Sequence, residues 1–379
     1  MIHHLPIDRQ SRGPLSLIFT GDVILDVPDP DHWLSGIAPA LQQADLAVGH
    51  LEVPHTTHLQ EYGDDIPAPG ANPAHLAALG RAGFAAMTLA GNHITDCGET
   101  GIKDTLAGLA AQAIACCGAG TSLAQARQPA LLQVKDRLLA LLSYNCVGPE
   151  SGWASAGHAG CAYLPVTTSD GAPVAPARTL LAPTPEALMI LRDDIASARA
   201  QAALVVVALH KGVVHTPAHV APYERALAHA TIEAGADLVI GHHAHIVRGI
   251  EFHRGKPIFH GLGNGCVVTH ALDPTQSHAA RAAWAKRRQQ LFGFVPDPAY
   301  TLAPFHPEAV NAFLARVLWH QDGRLEVGML PVQVDPPGRP RLANAEEATR
   351  ISAYVQAITS QAGLGERSFT PRDDMVVIT

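Results

Sequence analysis

Short apolar runs alternate with alanine-rich, helix-forming stretches along most of this chain, and run after run ends in a residue type that binds metals or moves protons. That alternation commits the chain to an α/β fold, because strands apolar on both faces need helices or a second sheet to cover them. Strands are predicted at 15–20, 46–48, 86–90, 138–144, 204–209, 238–240 and 257–260. Helices are predicted at 73–82, 101–113, 185–200 and 222–234, the last two with a proline near the first turn. After a break at Pro336-Pro337-Gly338, residues 346–362 read as a surface helix and 375–378 as an edge strand.

The strand exits carry the chemistry. The first leads to Thr20-Gly21-Asp22, the second to Gly49-His50-Leu51-Glu52, and the third to Gly91-Asn92-His93. The fifth leads to His210, the sixth to Gly241-His242-His243-Ala244-His245, and the seventh to Gly261-Leu262-Gly263-Asn264. Ligands of α/β sheets bind outside the carboxyl ends of the strands, so these side chains are expected to meet. Two carboxylates, an asparagine and three or four imidazoles make a mixed oxygen and nitrogen donor set. Such a set suits Mn²⁺, Fe or Zn²⁺ better than the all-oxygen shell of Ca²⁺ or Mg²⁺. With 22 histidines in 379 residues, a cluster can arise by chance, and a lone strand-end carboxylate ordinarily reads as a cap or a solvated loop residue. The ordered repetition at successive exits is what favours a site.

Composition removes other classes. A net charge of −8 and the lack of a basic arm argue against nucleic acid as a partner. The start, Met1-Ile2-His3-His4-Leu5-Pro6, has neither the basic nor the apolar region of a signal peptide, and no uncharged apolar span reaches 18 residues. The expectation is therefore a cytoplasmic protein with no membrane partner, and its six scattered cysteines are expected to be buried free thiols. No lysine follows Gly118-Ala119-Gly120-Thr121-Ser122 as a phosphate-binding loop needs, and no Gly-x-Ser-x-Gly nucleophile turn is present. Three regions are expected: an N-terminal extension over 1–14, a main domain over 15–335, and a C-terminal helix with strand over 336–379. Within the main domain, 145–184 and 271–308 read as long connections of the kind that form lids or binding segments. The second contains Arg281, Lys286, Arg287 and Arg288, either the polar face of a short helix or a substrate clamp.

The order Gly-Asp, Leu-Glu, Gly-Asn-His, His, Gly-His-x-x-His resembles the calcineurin-like metallophosphoesterase superfamily, and more closely its CapA-like branch, associated with poly-γ-glutamate capsule synthesis. The matching segments are Gly21-Asp22-Val23, His50-Leu51-Glu52, 91–98, 209–212, 234–245 and 261–264, with Phe305-His306-Pro307-Glu308 as a late one. The resemblance implies a calcineurin-like fold whose core is a two-sheet β-sandwich flanked by helices; composition alone equally allows a doubly wound sheet. It implies one or two divalent metal ions (Mn, Fe or Zn), with Asp22 and His245 on one, Asn92, His210 and His243 on the other, and Glu52 at the bridging position. The superfamily's first motif is Asp-x-His, but Ile24 occupies the histidine position here, leaving the first site one ligand short. The resemblance further implies His93 as the general acid facing the leaving group, with Asp96 orienting it or else shaping the turn before Gly98. His242 is read as a support behind the ligands, and Asn264 as a hydrogen-bonding brace. Lys211 is read as an anion contact or a solvated side chain. His215, His219, His260 and His270 are candidates for the mouth of the site.

The expectation for function is a metal-dependent hydrolase that uses a metal-bound hydroxide on a phosphoester, or on an amide or ester, of a small or short-polymer anionic substrate. The alternative is a non-catalytic, metal-stabilised binding protein in poly-γ-glutamate or capsule assembly. The surface helices are compatible with a homodimer.

Overall fold

A computed structural model describes residues 2–4, 13–58, 60–61, 68–270, 277–303 and 306–379. Parts of the expected N-terminal extension and of the 271–308 connection, and Phe305 of the late segment, lie outside the described residues.

Two sheets face each other. In one, the parallel strands Arg137–Asn145, Leu204–His210, Leu238–His242 and Lys256–Phe259 lie side by side. In the other, Leu15–Leu25, Leu46–Leu51, Ala86–Thr88 and Ala115–Cys117 are parallel. That sheet continues through the antiparallel strands Asn311–Trp319 and Leu325–Asp335. Side chains alternate across each sheet. Leu17, Phe19, Leu141, Val206 and Ile240 fill the space between the sheets. Ile18, Ala47 and Leu51 pack outward with Leu34, Leu41 and Leu79 of the helical layer. Val205, Val207 and Leu209 pack outward on the opposite side with Leu191, Ile195 and Leu227. Both faces of the central strands are thus buried, which accounts for their unbroken apolar sequence. The result is the two-sheet core flanked by helices, not the doubly wound sheet that composition also allowed. Among the described residues, no helix is long and apolar enough to cross a membrane.

Three elements differ from the sequence expectation. The first strand does not end at Thr20 but runs to Leu25, with a register shift against its neighbour between Phe19 and Asp22. The irregularity is set by a close approach: the Asp22 amide donates to the Gly263 carbonyl at 2.9 Å, and a Cβ on Gly21 would lie 2.0 Å from that oxygen. Gly21→Ala is therefore expected to destabilise the fold by about 1–3 kcal/mol, read from denaturant melts; an unchanged midpoint would show that the contact does not constrain the strand. The helix Ala345–Gln361 is not a surface element, because Ile351, Val355 and Ile358 recur at helical spacing and enter the core between the sheets. Met375–Ile378 pairs with Leu325–Asp335 but is not the edge, since Phe369–Arg372 pairs outside it. The 271–308 connection contains the helix Ala279–Phe292, in keeping with the helix reading of the run that begins at Arg281.

Candidate metal centre

Parallel pairing places the carboxyl ends of the central strands together. Asp22 is level with His50 on one neighbour and with Asn264 on the other, while His210 is level with His242 in the opposite sheet. Two donor groups form where these ends meet. Donor atoms of Asp22, Glu52 and His245 lie within 4.8 Å of one another, as do those of Asp22, His50 and His210. Next to the second group, Asn92 Oδ1 is 2.7 Å and His243 Nδ1 3.1 Å from His210 Nε2. The structure thus brings Asn92, His210 and His243 together, and Asp22 with His245. The carboxylate common to the two groups is Asp22, whereas Glu52 sits with His245, Oε1 to Nε2 at 3.2 Å.

Several of these atoms are buried without a hydrogen-bond partner: His50 Nε2, both oxygens of Glu52, His210 Nδ1 and His242 Nε2. Glu52 Oε1 is ion-paired with His245 Nε2 at 3.2 Å. Leaving a buried carboxylate and imidazole nitrogens unsatisfied costs several kcal/mol, which a coordinated cation would remove. The donor set therefore fits a divalent metal. Protonation agrees. Burial pushes His50 down to about 4 and His242 and His243 to about 3, and holds His210 well below its ordinary value. All four are neutral at physiological pH, as a ligand must be.

His245 is the exception. Burial would lower it, but the carboxylates of Glu52 and Asp22 outweigh burial and lift it to about 9. Burial, and then the Glu52 charge, raise Asp22, while His245 overcomes the effect of burial on Glu52 and holds it low. Without metal, the Asp22–Glu52–His245 trio keeps a proton at neutral pH that an entering cation must displace. Mn²⁺ titration calorimetry in buffers of different ionisation enthalpy is expected to show release of about one proton per ion. Affinity should rise as pH increases from 7 towards 9, through the value at which His245 gives up its proton. Binding with no proton release would contradict this charge arrangement.

The remaining candidates fall into place around the donors. His93 Nδ1 is 2.7 Å from Asp96 Oδ2, which also accepts the Ala68 amide at 2.6 Å. His242 stacks on His50 with ring centroids 4.6 Å apart and sets its Nδ1 3.1 Å from Asp22 Oδ1. The His243 amide donates to Asp22 Oδ2 at 3.2 Å, and Asn264 Oδ1 lies 3.1 Å from His245 Nδ1. A cavity of about 740 Å³ opens over the centre, lined at its floor by Glu52, Asn92, His93, His243 and His245, with Ile24 beside them. His215 and His219 also line it.

Lys211 is neither an anion contact nor solvated. Its ammonium is fully buried, 3.0 Å from Glu224 Oε2 and 3.2 Å from the His260 carbonyl, because the strand Leu204–His210 delivers it away from the cavity. His260 belongs to the same buried network, with Nε2 2.9 Å from Glu251 Oε2, and His270 is not among the lining residues. His50 was not anticipated as a donor. Its signal is the two-residue spacing to Glu52, which places both side chains on one face of an extended segment.

The family model described as bacterial capsule synthesis protein PGA_cap matches residues 16–267, a span that contains every residue of this centre. The chain belongs to the PGA_cap family. Among relatives of this family member, a probable polyglutamine synthesis accessory protein of Mycobacterium tuberculosis is 31% identical over 243 residues, 62% of this chain and 55% of that protein. The PGA biosynthesis protein CapA of Bacillus subtilis is 29% identical over 269 residues, 68% of this chain and 64% of that protein. The matched segments are thus less than two thirds of either relative's length. Among solved structures, a calcineurin-like phosphoesterase of Bacillus subtilis is similar at 13% identity over 93% of this chain and 100% of that one, with a TM-score of 0.38, too low to decide fold or chemistry.

Proposed function

We propose that this PGA_cap family member is a metal-dependent hydrolase acting on a phosphoester, or on an amide or ester, of a small anionic substrate. The observation that carries this reading is the convergence of buried, unpartnered donor atoms beneath a cavity that His93 also lines. Asp22, Glu52 and His245 would hold one divalent ion, and Asn92, His210 and His243, with His50 alongside, a second. When bound, Mn, Fe or Zn supplies Lewis acidity and brings the pKa of a water from about 15.7 towards about 7.

The chain's own residues supply positioning and proton transfer. Asp96, anchored by the Ala68 amide, takes the Nδ1 side of His93 and fixes the ring. That leaves Nε2 to deliver a proton to the departing oxygen or nitrogen. The Asn264 side chain and the His243 amide hold His245 and Asp22 in place. Ile24 and Val53, in one small apolar cluster, form a dry flank where the superfamily pattern has a histidine.

The test is turnover. The full chain with Mn²⁺ is expected to hydrolyse at least one class in a panel of phosphoesters, amides, esters and lactones. The panel should include short γ-glutamyl peptides, given the polymers named in its relatives' descriptions. Activity should vanish in chelator and return with metal. A metal-replete chain inert across the panel would overturn the hydrolase reading and favour a binding role in capsule assembly.

A further inference from the structure

The cavity is far larger than the group to be hydrolysed, and most of its wall is apolar. At about 740 Å³ it falls within the roughly 300–1,000 Å³ that encloses a whole small molecule. Leu180, Leu181, Val213, Val214 and Trp284 line it together with the donor residues of the floor. Leu181 and Val213 are 48% and 43% exposed, two of the few large apolar side chains that stand out of the core among the described residues.

This wall is held open. The fully buried Arg248 donates to the Val213 carbonyl at 2.8 Å and to the Thr216 hydroxyl at 2.6 Å, and pairs with Glu224 at 2.6 Å. Glu224 in turn carries Lys211. A buried ion cluster thus fixes the backbone that presents Val213 to the cavity. Charge on the wall is already committed: Arg178 pairs with Asp170 at 2.5 Å, and Arg281 pairs with Glu61 at 2.8 Å. A chain of repeated carboxylates would compete with Asp170 and Glu61 for those arginines and would meet Asp26 and Glu52 on the same lining, whereas an apolar group meets the wall as it stands.

We propose that the cavity takes a substrate whose single anionic, hydrolysable group carries an apolar substituent of aryl or branched-alkyl size, seated against Leu180, Leu181, Val213, Val214 and Trp284. The proposal rests on the hydrolase reading and specifies its substrate class.

Calorimetry on the Mn²⁺-loaded full chain, which needs no turnover, compares methylphosphonate, benzylphosphonate and tri-γ-glutamate. Benzylphosphonate is expected to bind roughly tenfold or more tightly than methylphosphonate. Leu181→Asn and Val213→Asn, neutral changes at half-exposed positions, should erase most of that difference by weakening benzylphosphonate binding. Equal binding of the two phosphonates, tighter binding of tri-γ-glutamate, or a difference that survives both substitutions would overturn the proposal while leaving the hydrolase reading standing. If neither phosphonate binds the metal-loaded chain, this proposal falls, while the hydrolase reading is decided by the turnover panel.

Discussion

Replacing His243 with glycine is expected to cost the chain the metal held with Asn92 and His210, and its activity, while leaving its fold as stable as before. The loss follows from position: His243 Nδ1 lies 3.1 Å from His210 Nε2, next to Asn92, and faces the cavity. Changing residues that merely support metal ligands costs about 10–100-fold in affinity, so removing a donor should cost at least the upper end of that range. Stability behaves differently because of the backbone. His243 and His245 adopt left-handed conformations, with φ of 86° and 52°. Such a conformation costs an L-residue roughly 1–2 kcal/mol, and glycine escapes that cost. Relief at position 243 is expected to offset the lost imidazole contacts, so the metal-free variant should melt close to the metal-free parent. His210→Ala, in a regular strand with no strain to relieve, should lose metal and also melt lower. Thermal melts with metal analysis check both; a His243→Gly protein that keeps the parent's full metal content would remove His243 from the ligand set.

The second large effect concerns His93. With its Nδ1 engaged by Asp96, its proposed role is to give up a proton from Nε2, and general acid catalysis contributes about 10²–10⁴-fold. His93→Ala is expected to lower kcat by that range on substrates with poor leaving groups. On substrates that release a nitrophenolate, which needs no proton, the loss should be slight. Metal content should not change, because His93 is not among the converging donors. Asp96→Asn should give a smaller loss of the same kind, since it leaves the ring in place but alters which nitrogen carries the proton. Equal losses on good and poor leaving groups would assign His93 a structural role instead.

Much of this centre was legible in the sequence because parallel strands deliver their carboxyl ends to one edge. Reading the exits in order was enough to gather Asp22, Glu52, Asn92, His210, His243 and His245. What escaped depends on sheet-to-sheet geometry. His50 stood at the second exit, but the resemblance gives the role there to Glu52, so its i, i+2 spacing to that carboxylate was passed over. Its donor position becomes visible only when the opposite sheet brings His210 and His242 against it. Lys211 looked like an anion contact because it follows a ligand, yet the strand's alternation sends it to the buried side, where Glu224 and Arg248 wait from a later helix and loop. Nor could hydropathy show that the first strand continues past Gly21. That continuation depends on the approach of Gly263, more than two hundred residues away in the chain.

The C-terminal helix was misjudged for a related reason. Its exposed face is strongly polar, and only the seven-residue recurrence of Ile351 and Ile358, with Val355 between, marks the stripe that enters the core. The clamp reading of the run that begins at Arg281 could not be weighed from sequence either, because the partner of Arg281, Glu61, lies 220 residues away in the chain.

The central claim is that the strand ends build a metal site, and metal content tests it most directly. Full-length protein loaded with Mn²⁺, Fe²⁺ or Zn²⁺ and then desalted is expected to retain about one to two equivalents of at least one of them, and the His243→Gly protein to retain less. A folded wild-type chain that keeps none of the three would contradict the account.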